Sequence, residues 1–205
     1  SILKQRYAMI DFKQTESGFL LDANQLPFER QELPDSFSKF RRRAEPIAVQ
    51  QPLEAPSSLP PRPAATSKRS WQKQFPDCAL QYKPLFNGGE QQGQQHMHSY
   101  FSRGLASSYK QTRNGLDGMD YSTKFSPWLA AGSLSPRTIM QALKQYEMDV
   151  EKNDSTYWIY FELLWREYFQ RYAQKYGPQL FTFGGIKGRK PSTSFYPERY
   201  QKWCQ

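Results

Sequence analysis

The segment from Tyr121 to Pro127 brings four hydroxyl side chains and a lysine to the start of a predicted helix. A helix N-terminus leaves backbone N–H groups free and carries a positive field, and neighbouring hydroxyls add donors. The segment could therefore hold a phosphate group. The same hydroxyls could instead serve only as helix caps. The pattern alone favours capping, because the segment is neither a Walker loop nor a GxGxxG sequence.

Charged residues stand among aromatic ones from Phe161 to Phe169. Glu162 and Arg166 are one helical turn apart and flank Trp165. At this spacing they could form an exposed ion pair that contributes about 0.3–0.5 kcal/mol. A buried charge needs a partner, however, so charges among this many rings favour the border of a cavity.

Basic and aromatic side chains are mixed through the second half of the chain, namely Arg103, Lys110, Arg113, Lys124, Trp128, Arg137 and Trp165. Cations beside aromatic platforms suit unpaired or flipped nucleobases. An aromatic core with a solvated basic face would give the same pattern. Both interpretations stay open on the residues alone.

The residues that most often bind metals are few and scattered. Cys78 and Cys204 are far apart and have no partners at ligand spacing, and His96 and His98 lie two apart without acidic or cysteine companions. We predict neither a disulfide scaffold nor a metal site, and we assign no ligand role to the histidines.

The composition indicates a polar, basic and aromatic-rich protein. The 28 Lys and Arg residues outnumber the 19 Asp and Glu residues, which gives a formal charge of +9, and 16% of residues are aromatic. That aromatic content argues against a disordered chain. The charge favours a polyanion such as nucleic acid, although solubility alone would also account for it.

The second half of the chain predicts a series of helices. Apolar residues recur at helical spacing between Gln91 and Lys110, which predicts one amphipathic helix. Ser126-Pro127 and Ser135-Pro136 are helix-start signals, and Gly132 suits a left-handed helix end between them. Asn153 precedes a long helix with an aromatic stripe, which we expect to end at Gly177.

The first half of the chain is less regular. Two short apolar runs, at 7–10 and 18–21, could be strands, or a helix end followed by a strand. Leu33 to Phe40 could open a short helix. Six prolines between Pro46 and Pro63 predict an extended linker, because proline removes the backbone donor and fixes φ.

Several motifs in order resemble the photolyase and cryptochrome family. These are STKFSPWLA at 122–130, GSLSPR at 132–137, FELLWREYF at 161–169 and RNGLD at 113–117. The runs QLPF at 25–28, LPD at 33–35 and DSTYW at 154–158 resemble the DASH subgroup. The resemblance covers most of residues 25–170.

The resemblance implies a mainly α fold, the N-terminal half of the helical FAD-binding domain of a photolyase or cryptochrome. We expect residues 1–25 to be the C-terminal remnant of an α/β antenna domain, 26–82 the linker and 83–205 the partial helical domain. The chain stops where the family has a TGxPxVDAxMR segment. We therefore expect a fragment that carries half of a flavin site.

The resemblance also implies roles for individual residues. Residues that would line the FAD phosphates and ribityl chain are Tyr109, Ser122, Thr123, Lys124, Phe125 and Ser126. Arg166 would face the flavin. Glu162 and Trp165 would border the pocket for a flipped pyrimidine dimer and serve catalysis, and Arg113 would contact a DNA phosphate.

In the family, light excites a reduced flavin, and an electron passes to the dimer, which splits. The resemblance thus implies a lyase that repairs cyclobutane pyrimidine dimers, preferentially in single-stranded DNA, with FAD and an antenna pigment such as a folate. We expect a soluble, intracellular protein, organellar if eukaryotic, whose missing parts could be separate chains. The alternative is an inactive remnant, or a helical module that binds nucleic acid or a partner.

Overall fold

The computed structural model describes residues 2–13, 15–61 and 84–205. Within these ranges it contains eight α-helices and no β-strand, so the mainly α fold is confirmed. The helices are α1 Ile2–Arg6, α2 Phe37–Ala44, α3 Glu90–Ser102, α4 Tyr109–Thr112, α5 Ser126–Ala131, α6 Pro136–Asp149, α7 Asp154–Tyr176 and α8 Pro197–Cys204. Short 3₁₀ turns lie at Ala23–Gln25, Arg30–Glu32, Leu105–Ser108, Gly177–Phe181 and Gly185–Lys187.

The longest helix, α7, has the ends that its sequence predicts. The side-chain oxygen of Asn153 accepts hydrogen bonds from the backbone N–H groups of Ser155 and Thr156, at 2.8 and 3.0 Å. These bonds satisfy two of the donors that a helix start leaves free. At the other end Gly177 has a φ of 50°, a conformation that glycine adopts without a steric penalty.

The aromatic stripe of α7 packs against α2. The rings of Phe37 and Trp165 stack with their centroids 3.6 Å apart, and Phe40 lies 5.3 Å from Tyr168. Phe40 is fully buried. The short helix expected after Leu33 is therefore confirmed, and it supports the middle of α7 from one side.

The helices α5 and α6 are joined by the turn that the sequence predicts. Gly132 ends α5 with a φ of 73°, and the Ser135 hydroxyl accepts a hydrogen bond from Arg137 N at 3.2 Å at the start of α6. Ser126 differs from its expected role. It is the first helical residue of α5, while Phe125 occupies the cap position and makes no side-chain capping bond.

The single helix expected from Gln91 to Lys110 is wrong. The helix α3 ends at Ser102, and Gly104 follows with a φ of 71°. A right-handed helix cannot continue through that left-handed conformation. A 3₁₀ turn at Leu105–Ser108 then leads into α4, which gives Tyr109 a direction of its own.

The strands expected near the start of the chain are absent from the described residues. Residues 7–9 form a turn after α1, and Leu20 and Leu21 are buried against α7. Leu20 N donates to the Glu167 carboxylate at 2.7 Å, and Leu21 O accepts from Arg171 at 2.8 Å. Since these backbone groups are satisfied by α7 side chains, they need no partner strand.

The Glu167 carboxylate is fully buried, and Arg171 Nε donates to it at 3.0 Å. Burial raises the pKa of Glu167, while the Arg171 charge and the bonds from Leu20 and Leu21 oppose that rise. Arg171 also binds Glu16 at 2.7 Å and lies over the Phe19 ring. This network fastens residues 16–21 to α7.

Three further sequence-based expectations concern the last helix, the two cysteines and the linker. The expected helix after Phe195 is α8, and Cys204 is exposed. Cys78 and the part of the proposed linker at 62–82 lie outside the described residues. Among the described residues, no helix combines the length and the apolar character needed to cross a membrane.

Candidate functional site

A pocket of about 620 Å³ opens between the start of α5 and the middle of α7. Its walls are mainly apolar, with a few polar groups. The lining residues are Tyr109, Thr123, Phe125, Ser126, Leu129, Ala130, Ile159, Glu162, Leu163, Trp165, Arg166, Phe169, Gln170 and Ala173. Its size lies within the range of about 300–1,000 Å³ that is usual for small-molecule sites.

The hydroxyl-rich segment contributes one wall of this pocket. Thr123, Phe125 and Ser126 line it, whereas Ser122 and Lys124 do not. Lys124 has a φ of 51°, which is uncommon for a residue with a side chain. The segment therefore contributes three of its five residues from 122 to 126 to the pocket wall.

His96, to which we assigned no ligand role from the sequence, contacts this segment from outside the pocket. Its Nε2 lies 2.8 Å from the Thr123 carbonyl oxygen. The His96 ring stacks on Trp128 with centroids 4.9 Å apart and meets the Phe125 ring edge-on at 5.8 Å. This contact could not be inferred from the residue types, because it joins positions 27 residues apart, one on a helix and one in a loop.

Arg166 contributes positive charge to the pocket and ties three elements together. Its guanidinium donates to the Gly18 carbonyl oxygen at 2.6 Å, the Leu129 carbonyl oxygen at 3.2 Å and the Gln170 side chain at 2.8 Å. Burial lowers the pKa of Arg166, and the nearby Glu167 charge acts in the opposite direction. Carbonyl oxygens satisfy its donors without cancelling its charge, so the guanidinium can still attract an anion.

Glu162 does not pair with Arg166, so the exposed i,i+4 ion pair considered from the sequence is wrong. The Glu162 carboxylate instead accepts a hydrogen bond from Arg113 Nη1 at 2.7 Å. The Arg113 guanidinium also lies over the Trp158 ring, 4.4 Å from its centroid. The pair joins the pocket wall to the end of α4.

Aromatic residues form the rest of the wall. Trp165 stacks on Phe37 behind it, while Phe169, further along α7, is mostly exposed. Burial, followed by the Glu162 charge, raises the pKa of Tyr109 to about 12. The Tyr109 hydroxyl is therefore neutral at physiological pH and can donate a hydrogen bond.

The pocket fits a ligand that combines an aromatic part with an anionic part. Leu129, Ile159 and Leu163 supply apolar surface, while Thr123 and Ser126 supply hydroxyl donors beside the Arg166 cation. FAD has this character, since its rings are aromatic and its two phosphates are charged. Among the described residues, no group of three or more His, Cys, Asp or Glu side chains is placed to hold a metal ion.

The sequence is similar over nearly its whole length to known proteins of one name. The chain is 51% identical over 204 residues to a cryptochrome DASH of Vibrio parahaemolyticus, covering 98% of this chain and 44% of that protein. It is 46% identical to a cryptochrome DASH of Idiomarina loihiensis, covering 99% and 45%. The chain belongs to the cryptochrome DASH family.

A cryptochrome structure from Synechocystis also has this fold. The two superpose with a TM-score of 0.81 at 41% identity, over 91% of this chain and 40% of the Synechocystis chain. No family model matches the sequence. The chain spans about 44% of the length of the Vibrio cryptochrome DASH.

Proposed function

We propose that the pocket between α5 and α7 forms part of an FAD site in a light-dependent flavoprotein. One observation carries the proposal: Ser126 and Glu162 line a single pocket, although they are 36 positions apart in the sequence. Thr123, in the loop before α5, and Arg166, one turn after Glu162 on α7, line the same pocket. Membership of the cryptochrome DASH family adds support, because FAD is that family's cofactor.

The side chains of this chain would hold and orient the cofactor. The hydroxyls of Tyr109, Thr123 and Ser126 would donate hydrogen bonds to its polar chain, and Arg166 would offset phosphate charge. The apolar wall would exclude water from the rings. Ser122 and Lys124 have no place in this proposal, because neither lines the pocket. The bound flavin would supply the light-driven electron transfer.

We further propose a DNA substrate, and specifically a cyclobutane pyrimidine dimer flipped toward the Glu162 and Trp165 edge of the pocket, beside the flavin. Glu162 would accept a hydrogen bond from a base of the dimer, and the Trp165 ring would provide an apolar surface against which the dimer packs. Arg113 would bind a phosphate when it is released from Glu162. Single-stranded DNA is the preferred form in this proposal, because the cost of unpairing is already absent.

The same proposal divides the chain into three segments, with boundaries after residues 25 and 82. Residues 1–25 would come from an α/β domain that binds an antenna pigment such as a folate, and 83–205 from the flavin domain. Residues 18–21 already pack on α7, so this first segment would stay attached to the flavin domain.

The flavin proposal is tested by the absorbance spectrum of the natural full-length protein that carries this chain. A stoichiometric amount of flavin is expected. Thr123→Val removes one hydroxyl from the pocket and should lower flavin occupancy, whereas Thr182→Val, in an exposed loop, should not. A colourless protein that binds DNA in a salt-sensitive way would contradict the flavin proposal and favour a nucleic-acid-binding module.

The substrate proposal is tested with dimer-containing oligonucleotides under illumination. Single-stranded substrate should be repaired faster than duplex, and Glu162→Ala should slow repair. Glu151→Ala removes the same charge from an exposed position and is the control. Flavin binding without any repair would contradict the substrate while leaving the cofactor proposal in place.

A further inference from the structure

His96 contacts the carbonyl oxygen of Thr123, a residue of one pocket wall. A carbonyl oxygen can only accept a hydrogen bond, so the Nε2 atom of His96 must carry the proton. The bond is 2.8 Å long and joins α3 to the loop before α5. His96 itself does not line the pocket.

The conformation of Lys124, the residue after Thr123, shows why the loop needs the contact with His96. Lys124 has a φ of 51°, and a non-glycine residue in this left-handed region carries a steric cost. A conformation of this cost persists only where surrounding contacts impose it. His96 fixes the carbonyl on one side of Lys124, and the burial of Phe125 fixes the chain on the other.

The side chains of the loop follow from this backbone conformation. Thr123 and Phe125 border the pocket, while Lys124 between them does not. The Thr123 carbonyl oxygen accepts a hydrogen bond from His96, and the Thr123 hydroxyl remains as a donor for an anion. The ring of His96 also packs against Phe125 and Trp128, so the contact has both a polar and an aromatic component.

We propose that His96 is a positioning residue for the cofactor pocket, acting through its hydrogen bond to the Thr123 carbonyl and the left-handed Lys124. This inference rests on the proposed flavin function. In this proposal the His96–Thr123 hydrogen bond, rather than the packing of the His96 ring, determines the affinity for the anionic part of the cofactor.

Two substitutions separate the polar component from the aromatic one. His96→Phe keeps a ring against Trp128 but loses the donor. His96→Gln keeps an N–H donor at a similar distance from the backbone but loses the ring. His98→Phe, at an exposed position on the same helix, is the matched control.

Flavin dissociation constants are measured for these variants in the natural full-length protein. Loss of one such hydrogen bond should weaken binding about tenfold in His96→Phe, with changes of about twofold or less in the other two variants. Adding Lys124→Gly to His96→Phe should restore much of the affinity, because glycine adopts a positive φ without strain. Unchanged affinity in His96→Phe, or equal loss in His96→Gln, would overturn the proposal.

A second measurement does not depend on flavin. Amide hydrogen exchange over residues 120–126 should become faster in His96→Phe and remain close to wild type in His96→Gln. If the wild-type protein binds no flavin, the proposed function fails, and so does this assignment of a cofactor role to His96. If exchange rises in His96→Phe while flavin affinity stays unchanged, the assignment alone fails.

Discussion

Arg113 and Glu162 form an ion pair with a 2.7 Å contact, although the sequence resemblance gives one a role toward DNA phosphate and the other a role toward a base. The two roles therefore compete. While the pair is closed, Arg113 is held over Trp158 and Glu162 has one oxygen occupied. A phosphate that draws Arg113 away would leave Glu162 free to accept a hydrogen bond inside the pocket.

Glu162→Gln should therefore strengthen binding to undamaged single-stranded DNA, because Arg113 is released for a phosphate. The slope of log affinity against log salt concentration should steepen by about one phosphate contact. Glu151→Gln changes the net charge equally at an exposed position and should have a smaller effect. If adding Arg113→Ala to Glu162→Gln leaves the gain in place, the gain does not come from Arg113.

Arg166→Ala should lower flavin affinity roughly tenfold or more, since hydrogen bonds to a charged group typically contribute about 1.5–3 kcal/mol. Arg166→Lys keeps the charge but lacks the planar fork that reaches two carbonyl oxygens, so it should restore the affinity only in part. Flavin titration of purified protein measures both variants. Arg43→Ala, at an exposed site on α2, should bind flavin like wild type, and equal occupancy in Arg166→Ala would contradict the role.

Glu16→Gln should reduce the acid sensitivity of the fold. Burial would raise the pKa of Glu16, but the Arg171 hydrogen bond and the Arg171 and Arg30 charges outweigh it and hold the pKa below 4.5. A lowered pKa gives stability that is present above the usual pKa and is lost as the pH falls through the lowered value.

The free energy of unfolding in urea should therefore fall more for wild type than for Glu16→Gln between about pH 6 and pH 3.5. Glu54→Gln, at an exposed position, is the control and should keep the wild-type pH dependence. Parallel curves for wild type and Glu16→Gln would show that the Glu16–Arg171 contact adds no stability.

Helix ends could be predicted from the sequence, whereas contacts between distant residues could not. Ser135-Pro136, Asn153 and Gly132 set helix ends through bonds to near neighbours, so their roles could be inferred from the sequence. The Leu20–Glu167 bond joins residues 147 positions apart. No periodic pattern encodes such a contact.

The same limit applies to the candidate site. The hydroxyl segment and the Glu162–Arg166 turn could be recognised as charged or polar groups near a cavity. Which of them face that cavity depends on the left-handed Lys124 and on His96, and neither could be inferred from residue types. The partner of Glu162 was also missed, because Arg113 reaches it from α4.

Gly104→Ala should destabilise the fold by roughly 1–2 kcal/mol, because an alanine at a φ of 71° meets the steric penalty of the left-handed region. Space is not the cause, since a Cβ at Gly104 would lie 3.8 Å from the Tyr146 hydroxyl. Gly88→Ala, where a Cβ would meet nothing within 4 Å, is the control. Equal stability of the two variants in urea would contradict a required left-handed break after α3.

Phe37→Ala should be among the most destabilising substitutions in the described chain, at about 3–5 kcal/mol. Phe37 is buried, stacks on Trp165 at 3.6 Å and meets Phe161 edge-on at 5.2 Å. Its loss would leave a cavity behind the Trp165 ring, so the ring could shift away from the pocket wall.

Phe183→Ala makes the same change at a ring that is 68% exposed, and its effect should stay within about 0.5 kcal/mol. Urea unfolding of the two variants gives the comparison. A double-mutant cycle that adds Trp165→Ala should return a coupling of about 0.5–1.5 kcal/mol for the stacked pair. A coupling near zero would mean that α2 stabilises α7 without holding Trp165, and the wall of the pocket would then depend on α7 alone.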